Sequence, residues 1–177
     1  MKLPPQYSWL ALALLFTGCA TGYQLGNIPS GDMAGVKNIW VPLAKNDTFR
    51  PYVQPMLTTA VIHELDNDGT YQTSRAADAE ATLNITVTKF TRSSVNQNPD
   101  NSTQTTQFRC TLYAQVTLTN NLTGKIIFKN IEFSGFTDYY VPNFQLGSDN
   151  VEAERQALPL ATQRLAQNIV RQVTEGW

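Results

Sequence analysis

Two thiols, one imidazole and a few clustered charges are the reactive groups this sequence offers. Cys19 and Cys110 are its cysteines, and His63 is its histidine. Cys19 closes the apolar run Trp9 to Phe16 and follows the small residues Thr17 and Gly18. A thiol placed there is set for modification after a leader is cut away, because export peptidases need small side chains at the cleavage site. Cys110 stands on the apolar side of an alternating segment, which predicts a buried thiol. The alternative is a Cys19–Cys110 disulfide in a chain that carries no lipid. His63 lies mid-helix with no second histidine for a metal pair and no positioned partner for general-base work; an ordinary helix-surface histidine accounts for it. Glu64, Asp66 and Asp68 before Gly69 copy the start of a calcium loop. That loop needs a bidentate Glu at its twelfth position, and Arg75 stands there. A turn that stops a helix explains the same residues, so no metal is expected. No Gly-rich phosphate loop or Ser-His-Asp set is present, and the expectation is a protein that binds and assembles and is not an enzyme.

The leader sets the compartment. Lys2 gives a thin positive start, and the apolar core is shorter than the roughly 20 residues of a spanning helix. Thr17-Gly18-Cys19-Ala20 resembles the lipobox of bacterial lipoproteins, in which signal peptidase II cuts before the Cys and the thiol receives diacylglycerol. Phe16 stands where the third position before the Cys is usually Leu, Val or Ile. The expected organisation is a leader over 1–18, a lipidated tether over 19–35 and one domain over 36–177. Acyl chains add about 0.8 kcal/mol per buried methylene, and stable anchoring takes more than one chain; a triacylated Cys19 meets that condition. No cofactor is expected beyond this covalent lipid. The 13 basic and 14 acidic residues leave a net charge of −1 without a basic block, which excludes nucleic acid as a partner.

The periodicities then supply the elements. Val36 to Leu43 reads as a first strand. Val53, Met56, Leu57, Ala60, Val61 and Leu65 fall on one helical stripe, ended by Asp66 to Gly69. Thr70 to Ser74 reads as a short strand, parallel to the first through a crossover. Leu83, Ile85 and Val87 alternate with polar residues, and Phe90 breaks the phase, as at a bulge. Phe108, Cys110, Leu112, Ala114, Val116 and Leu118 give six inward positions in a row, opposed by Arg109, Thr111, Tyr113, Gln115, Thr117 and Thr119. Such a strand belongs to an antiparallel sheet covered on one side. Asn120 to Gly124 makes a hairpin turn and Lys125 to Phe136 returns, slipping phase near Lys129 and Asn130. Tyr139 to Ser148 reads as a loop. Asp149 with Glu152 has the spacing of a capping box, with Glu154 adding negative charge near the start of a helix. Leu158, Ala161, Leu165, Ile169 and Val173 form that helix's stripe, and Pro159 either kinks it or marks its first turn. The fold class is α+β: a mixed, mostly antiparallel sheet of four to five strands with two helices on one face.

Ser93 to Gln107 is polar, with Asp100 its one charge, and Pro99-Asp100-Asn101 marks its tip. It reads as a solvated hairpin loop, or as a polar tip for a partner's hydrogen-bonding cavity. Lys89, Arg92 and Arg109 on adjacent strands are the candidates for a small basic patch.

The order of these features resembles the LptE family, the lipopolysaccharide-assembly lipoproteins of Gram-negative outer membranes. The resemblance starts at Cys19-Ala20-Thr21-Gly22-Tyr23-Gln24-Leu25 and runs through Val36-Lys37-Asn38-Ile39-Trp40-Val41-Pro42. It continues in the Val53 to Leu65 helix closed by Asp68-Gly69-Thr70-Tyr71, and in Ala77-Asp78-Ala79-Glu80-Ala81-Thr82-Leu83. Leu122-Thr123-Gly124-Lys125 fits the family's hairpin and Phe133-Ser134-Gly135 the strand after it, and the last helix matches at Ala157, Leu165, Ala166, Ile169 and Val170. The resemblance implies two helices against a four-stranded sheet, a position inside the lumen of the LptD β-barrel as a plug, help in that barrel's assembly, and contact with lipopolysaccharide on its way to the cell surface. The family's basic residues credited with that contact have no clear counterpart here. The other reading is an accessory lipoprotein of an ABC-type lipid-transport complex, which binds a membrane complex or lipid without plugging a barrel. A periplasmic hydrolase or carbohydrate-binding module would need catalytic or stacking motifs that the sequence lacks.

Overall fold

The computed structural model describes residues 31–98, 101–141 and 147–175. Its elements follow in chain order as β1 (Asn38–Trp40), β2 (Lys45–Asn46), α1 (Val53–Asp68), β3 (Gln72–Thr73), β4 (Ala81–Asn98), β5 (Asn101–Asn120), β6 (Ile126–Tyr140) and α2 (Gly147–Glu175). Short 3-10 turns at Gly31–Met33 and Ala76–Asp78 join them.

The helix α1 forms because Val53, Leu57, Val61 and Leu65 recur every fourth residue and are all fully buried, one stripe facing the core. Thr58 ties this helix to the strand layer. Its hydroxyl donates to the Gln54 carbonyl at 2.8 Å and accepts the Ala44 N–H at 2.9 Å. Gly69, at φ 74°, stops the helix, and its N–H returns to the Leu65 carbonyl; this left-handed conformation suits glycine.

The sheet has six strands among the described residues, in the order β3-β1-β4-β5-β6, with β2 also against β4. β1 pairs parallel with β3 and with β4, and β2 pairs parallel with β4 at Lys45↔Thr86 and Asn46↔Val87. β4, β5 and β6 form an antiparallel meander. The class is the expected one, with the two-residue β2 as an addition that its polar sequence does not announce.

Two irregularities set which side chains face which way. Thr88 is an extra residue between the pairs Val87↔Ala114 and Lys89↔Tyr113. After it, Phe90 and Arg92 take over the inward phase. The second lies in β6, where Asn130 adopts φ 53°. Its N–H donates to the Thr117 hydroxyl at 3.1 Å, and that hydroxyl donates to the Asn130 side chain at 3.2 Å. The side-chain pair replaces the ladder bonds the slip removes.

Three expectations are corrected. Ser93 to Gln107 is strand up to Asn98 and again from Asn101; Pro99 and Asp100 lie outside the described residues. Ladder bonds are made by the backbone, so a polar run can pair, here with three further register shifts after Ser94. Tyr139 and Tyr140 belong to β6, not to a loop. Asp149 does not head α2, which starts at Gly147, and Pro159 lies well inside the helix. Glu152 makes no capping box, because its carboxylate takes the Arg155 guanidinium at 2.7 and 2.8 Å and the Gln156 amide at 2.9 Å.

Both helices share one core with the inward residues of β4 and β5, among them Leu83, Ile85, Val87, Leu112, Ala114, Val116 and Leu118. α2 comes close to β6 at Gly135. A Cβ there would fall within 2.6 Å of Leu165 and Ala161 backbone atoms, so only glycine lets the two backbones touch.

Candidate functional site

Cys19 lies outside the described residues. The chain enters the fold at the β5–β6 turn. Met33 is fully buried, the Asp32 carbonyl accepts the Asn120 side-chain amide at 2.7 Å, and the Asp32 carboxylate pairs with Lys125 at 2.6 Å.

The three basic candidates do not form one patch. Lys89 and Arg109 lie on the outward face, whereas the bulge at Thr88 turns Arg92 to the helix side, opposite Cys110. Arg109 is held by Asp138 in a forked pair at 2.6 and 2.9 Å and lies over the Phe136 ring at 4.3 Å. These bonds hold the Asp138 carboxyl below its ordinary value and push the Arg109 guanidinium further up. Arg92 faces Glu154 of α2 at 3.6 Å, and Arg50 reaches the same carboxylate at 2.6 Å from the loop before α1. Glu154 is therefore not a helix-start charge. It is a buried carboxylate that joins three segments, and its burial demands such partners. Arg50 was not legible as part of this group, since a lone arginine in a loop carries no pattern. Lys89 lies 5.7 Å from the centre of the Tyr113 ring and makes no ion pair among the described residues.

The other singled-out residues behave structurally. Cys110 is fully buried, and burial pushes its thiol up from its ordinary value, which keeps it from becoming a reactive thiolate. His63 is exposed and its Nδ1 lies 2.9 Å from the Asn67 amide. Asp66 accepts the Thr73 hydroxyl and Asp68 the Thr70 N–H, the bonds of a helix-ending turn. No group of three metal-ligating side chains occurs among the described residues.

The extended surface is the outward side of the sheet. Along β5 it shows Arg109, Thr111, Tyr113, Gln115, Thr117 and Thr119, all at least partly exposed, while the alternate residues are buried. Arg109 is the one charge in that row, and Asp138 matches it. Such a surface offers hydroxyls and amides that can exchange water for a partner's groups at low cost. No helix among the described residues is long and apolar enough to cross a membrane.

The described residues thus form a two-layer α+β domain whose sheet has one face packed under two helices and an outward face rich in hydroxyls and amides. The sequence model of the lipopolysaccharide-assembly family LptE matches residues 36–173, and the chain belongs to that family. It is thus an assembly lipoprotein of the Gram-negative envelope, acting in lipopolysaccharide assembly. No curated protein matches the sequence. Among solved structures, a protein from Xanthomonas campestris is similar at TM-score 0.55 and 13% identity, over 82% of this chain and 89% of that one. A hypothetical protein from Chlamydia trachomatis follows at 0.54 and 9%, over 78% and 96%. An uncharacterized lipoprotein B from Nitrosomonas europaea follows at 0.53 and 10%, over 78% and 83%. At these identities the likeness concerns the fold.

Proposed function

We propose that the chain is anchored by acylation of Cys19 in the outer membrane and lodges as a plug in the lumen of an LptD-type β-barrel, assisting that barrel's assembly and lipopolysaccharide delivery. Family membership supports the pathway. The observation that carries the docking mode is the two-sidedness of β5, whose inward row is fully dry and whose outward row is almost uncharged. The lumen of an outer-membrane barrel is polar, and a plug of matching hydrogen-bonding character desolvates there without stranding charge. The anchor keeps the domain in the plane of its partner and raises its effective concentration.

The test is co-purification of the detergent-solubilised full chain with a large outer-membrane β-barrel. Wild-type chain is expected to bring the barrel with it. The double substitution Thr111→Glu/Thr119→Glu, on the open face and away from the core, is expected to lose it while keeping the circular-dichroism spectrum. Recovery of no barrel with the wild type overturns the plug. Palmitate labelling that persists in Cys19→Ala overturns the anchor.

A further inference from the structure

The outer edge of β4 changes character along its length. Up to Val87 it is covered, by β1 at Ala81 and Thr82 and by β2 at Thr86 and Val87. The Asp47 N–H donates to the Val87 carbonyl at 2.9 Å, and the covering strand stops there. From Lys89 to Val95 β4 pairs with β5, and no other strand among the described residues runs along its outer side. That is about 20 Å of strand edge.

The place where β2 gives out is shaped. Residues Asp47 to Arg50 stand away from Thr88, Lys89 and Phe90 and leave an open cleft of about 310 Å³ between them. Phe49, at the mouth, is completely exposed. Arg50 lies over the Phe90 ring at 4.3 Å while its guanidinium holds Glu154, so its position is fixed from the other side. Tyr52, just beyond, sits at φ 64° and is exposed. A non-glycine residue held there costs free energy that the surroundings must offset.

From these observations we infer that β4, from the Phe49 cleft to Val95, accepts one extended segment of the barrel partner by strand addition. The segment carries an apolar side chain for the cleft and a carboxylate for Lys89. Main-chain hydrogen bonds supply the affinity of such pairing and the flanking pockets its selectivity. Charge decides the occupant. Arg92 is matched by Glu154 on the helix side, whereas Lys89 makes no ion pair among the described residues, and Lys89 to Val95 contains no acidic residue, so a second copy of this chain pairing edge to edge would offer Lys89 no carboxylate. The chain's own residues 20–30 contain no carboxylate either. A closed barrel wall has no free strand edge to offer, so the segment is a loop or terminal stretch of that partner. This inference rests on the plug reading and adds to it a defined contact.

The experiment is amide hydrogen exchange on the acylated full chain, alone and in the co-purified complex with the LptD-type barrel. Exchange over residues 89–95 is expected to slow by about tenfold or more in the complex, with β5 protected in both samples. Phe49→Asp and Lys89→Glu, both at exposed positions, are each expected to weaken the slowing while their spectra stay native. A complex that forms with unchanged exchange over 89–95 overturns strand addition and leaves the plug standing. No complex with the wild-type chain removes both. Slowing that appears in the isolated chain and grows with its concentration assigns the edge to a second copy and also overturns the inference.

Discussion

The two long edges of this sheet meet solvent in opposite ways. Among the described residues β6 is an edge strand, and α2 shields its middle. The helix backbone touches β6 at Gly135, the Asn168 amide donates to the Ser134 carbonyl at 2.8 Å, and the Arg164 guanidinium donates to the Phe136 carbonyl at 3.0 Å. The upper part of β4 has no such shield among the described residues. Proteins blunt the edges they do not use, with covering helices, charges or bulges. A sheet that has one edge shielded by a helix, and along the upper part of β4 no further strand among the described residues beside an exposed phenylalanine, presents two different kinds of surface.

The largest effect is expected where the shield is tightest. Gly135→Ala places a methyl within 2.3 Å of the Leu165 nitrogen and 2.4 Å of the Ala161 carbonyl oxygen. These are backbone atoms of a helix and have no rotamer to yield, so α2 must lift from β6. Overpacking typically costs about 1–3 kcal/mol, and against backbone atoms the upper end is expected, read as a lower urea midpoint with an unchanged m-value. An ordinary midpoint would show that the shield is loose and that the two edges are alike. A smaller effect is expected from Arg164→Ala/Asn168→Ala, which removes the donors to two β6 carbonyls but leaves the packed stripe of α2. Both side chains are exposed and water can replace them, so the loss is about 1 kcal/mol. If it instead equals that of Gly135→Ala, polar shielding rather than backbone proximity holds the helix down.

Much of this contrast was legible in the residues, though not evenly. The dry row from Phe108 to Leu118 reads directly because a half-buried strand has a side-chain period of two, and all six residues are buried. The slips at Phe90 and at Lys129-Asn130 read as broken phase, and both are bulges. The grouping of Lys89, Arg92 and Arg109 failed for a related reason. One extra residue at Thr88 sends Arg92 to the opposite face, and spacing alone does not say where a bulge places its extra residue. The Arg50–Glu154–Arg92 cluster was illegible because its members come from a loop, a helix and a strand whose meeting is set by tertiary packing. The long polar hairpin was read as a loop because its pairing is written in backbone bonds, which leave no apolar signature.

The smallest expected effect lies at the covered base of the β4 edge. The Glu80 carboxylate accepts the Lys37 and Asn38 N–H groups, and the Glu80 N–H donates to the Asn38 carbonyl at 3.0 Å. The two backbone donors are the main cause that holds its carboxyl below the ordinary value of 4.5, with the Lys37 charge a lesser one. A folded value below the unfolded one means that the unfolded state binds the proton more readily. The contribution is therefore fully present well above pH 4.5 and is lost as pH falls through the lowered folded value. In Glu80→Gln the acid limb of a stability–pH curve is expected to flatten slightly in that window, with neutral-pH stability reduced by less than in either preceding variant. The amides of Lys37 and Asn38 are expected to exchange faster at neutral pH, while those of Lys89 to Val95 do not change. Equal acceleration at both places would mean that the β4 edge opens as one unit, and that its covered base and its uncovered upper part are not separate surfaces.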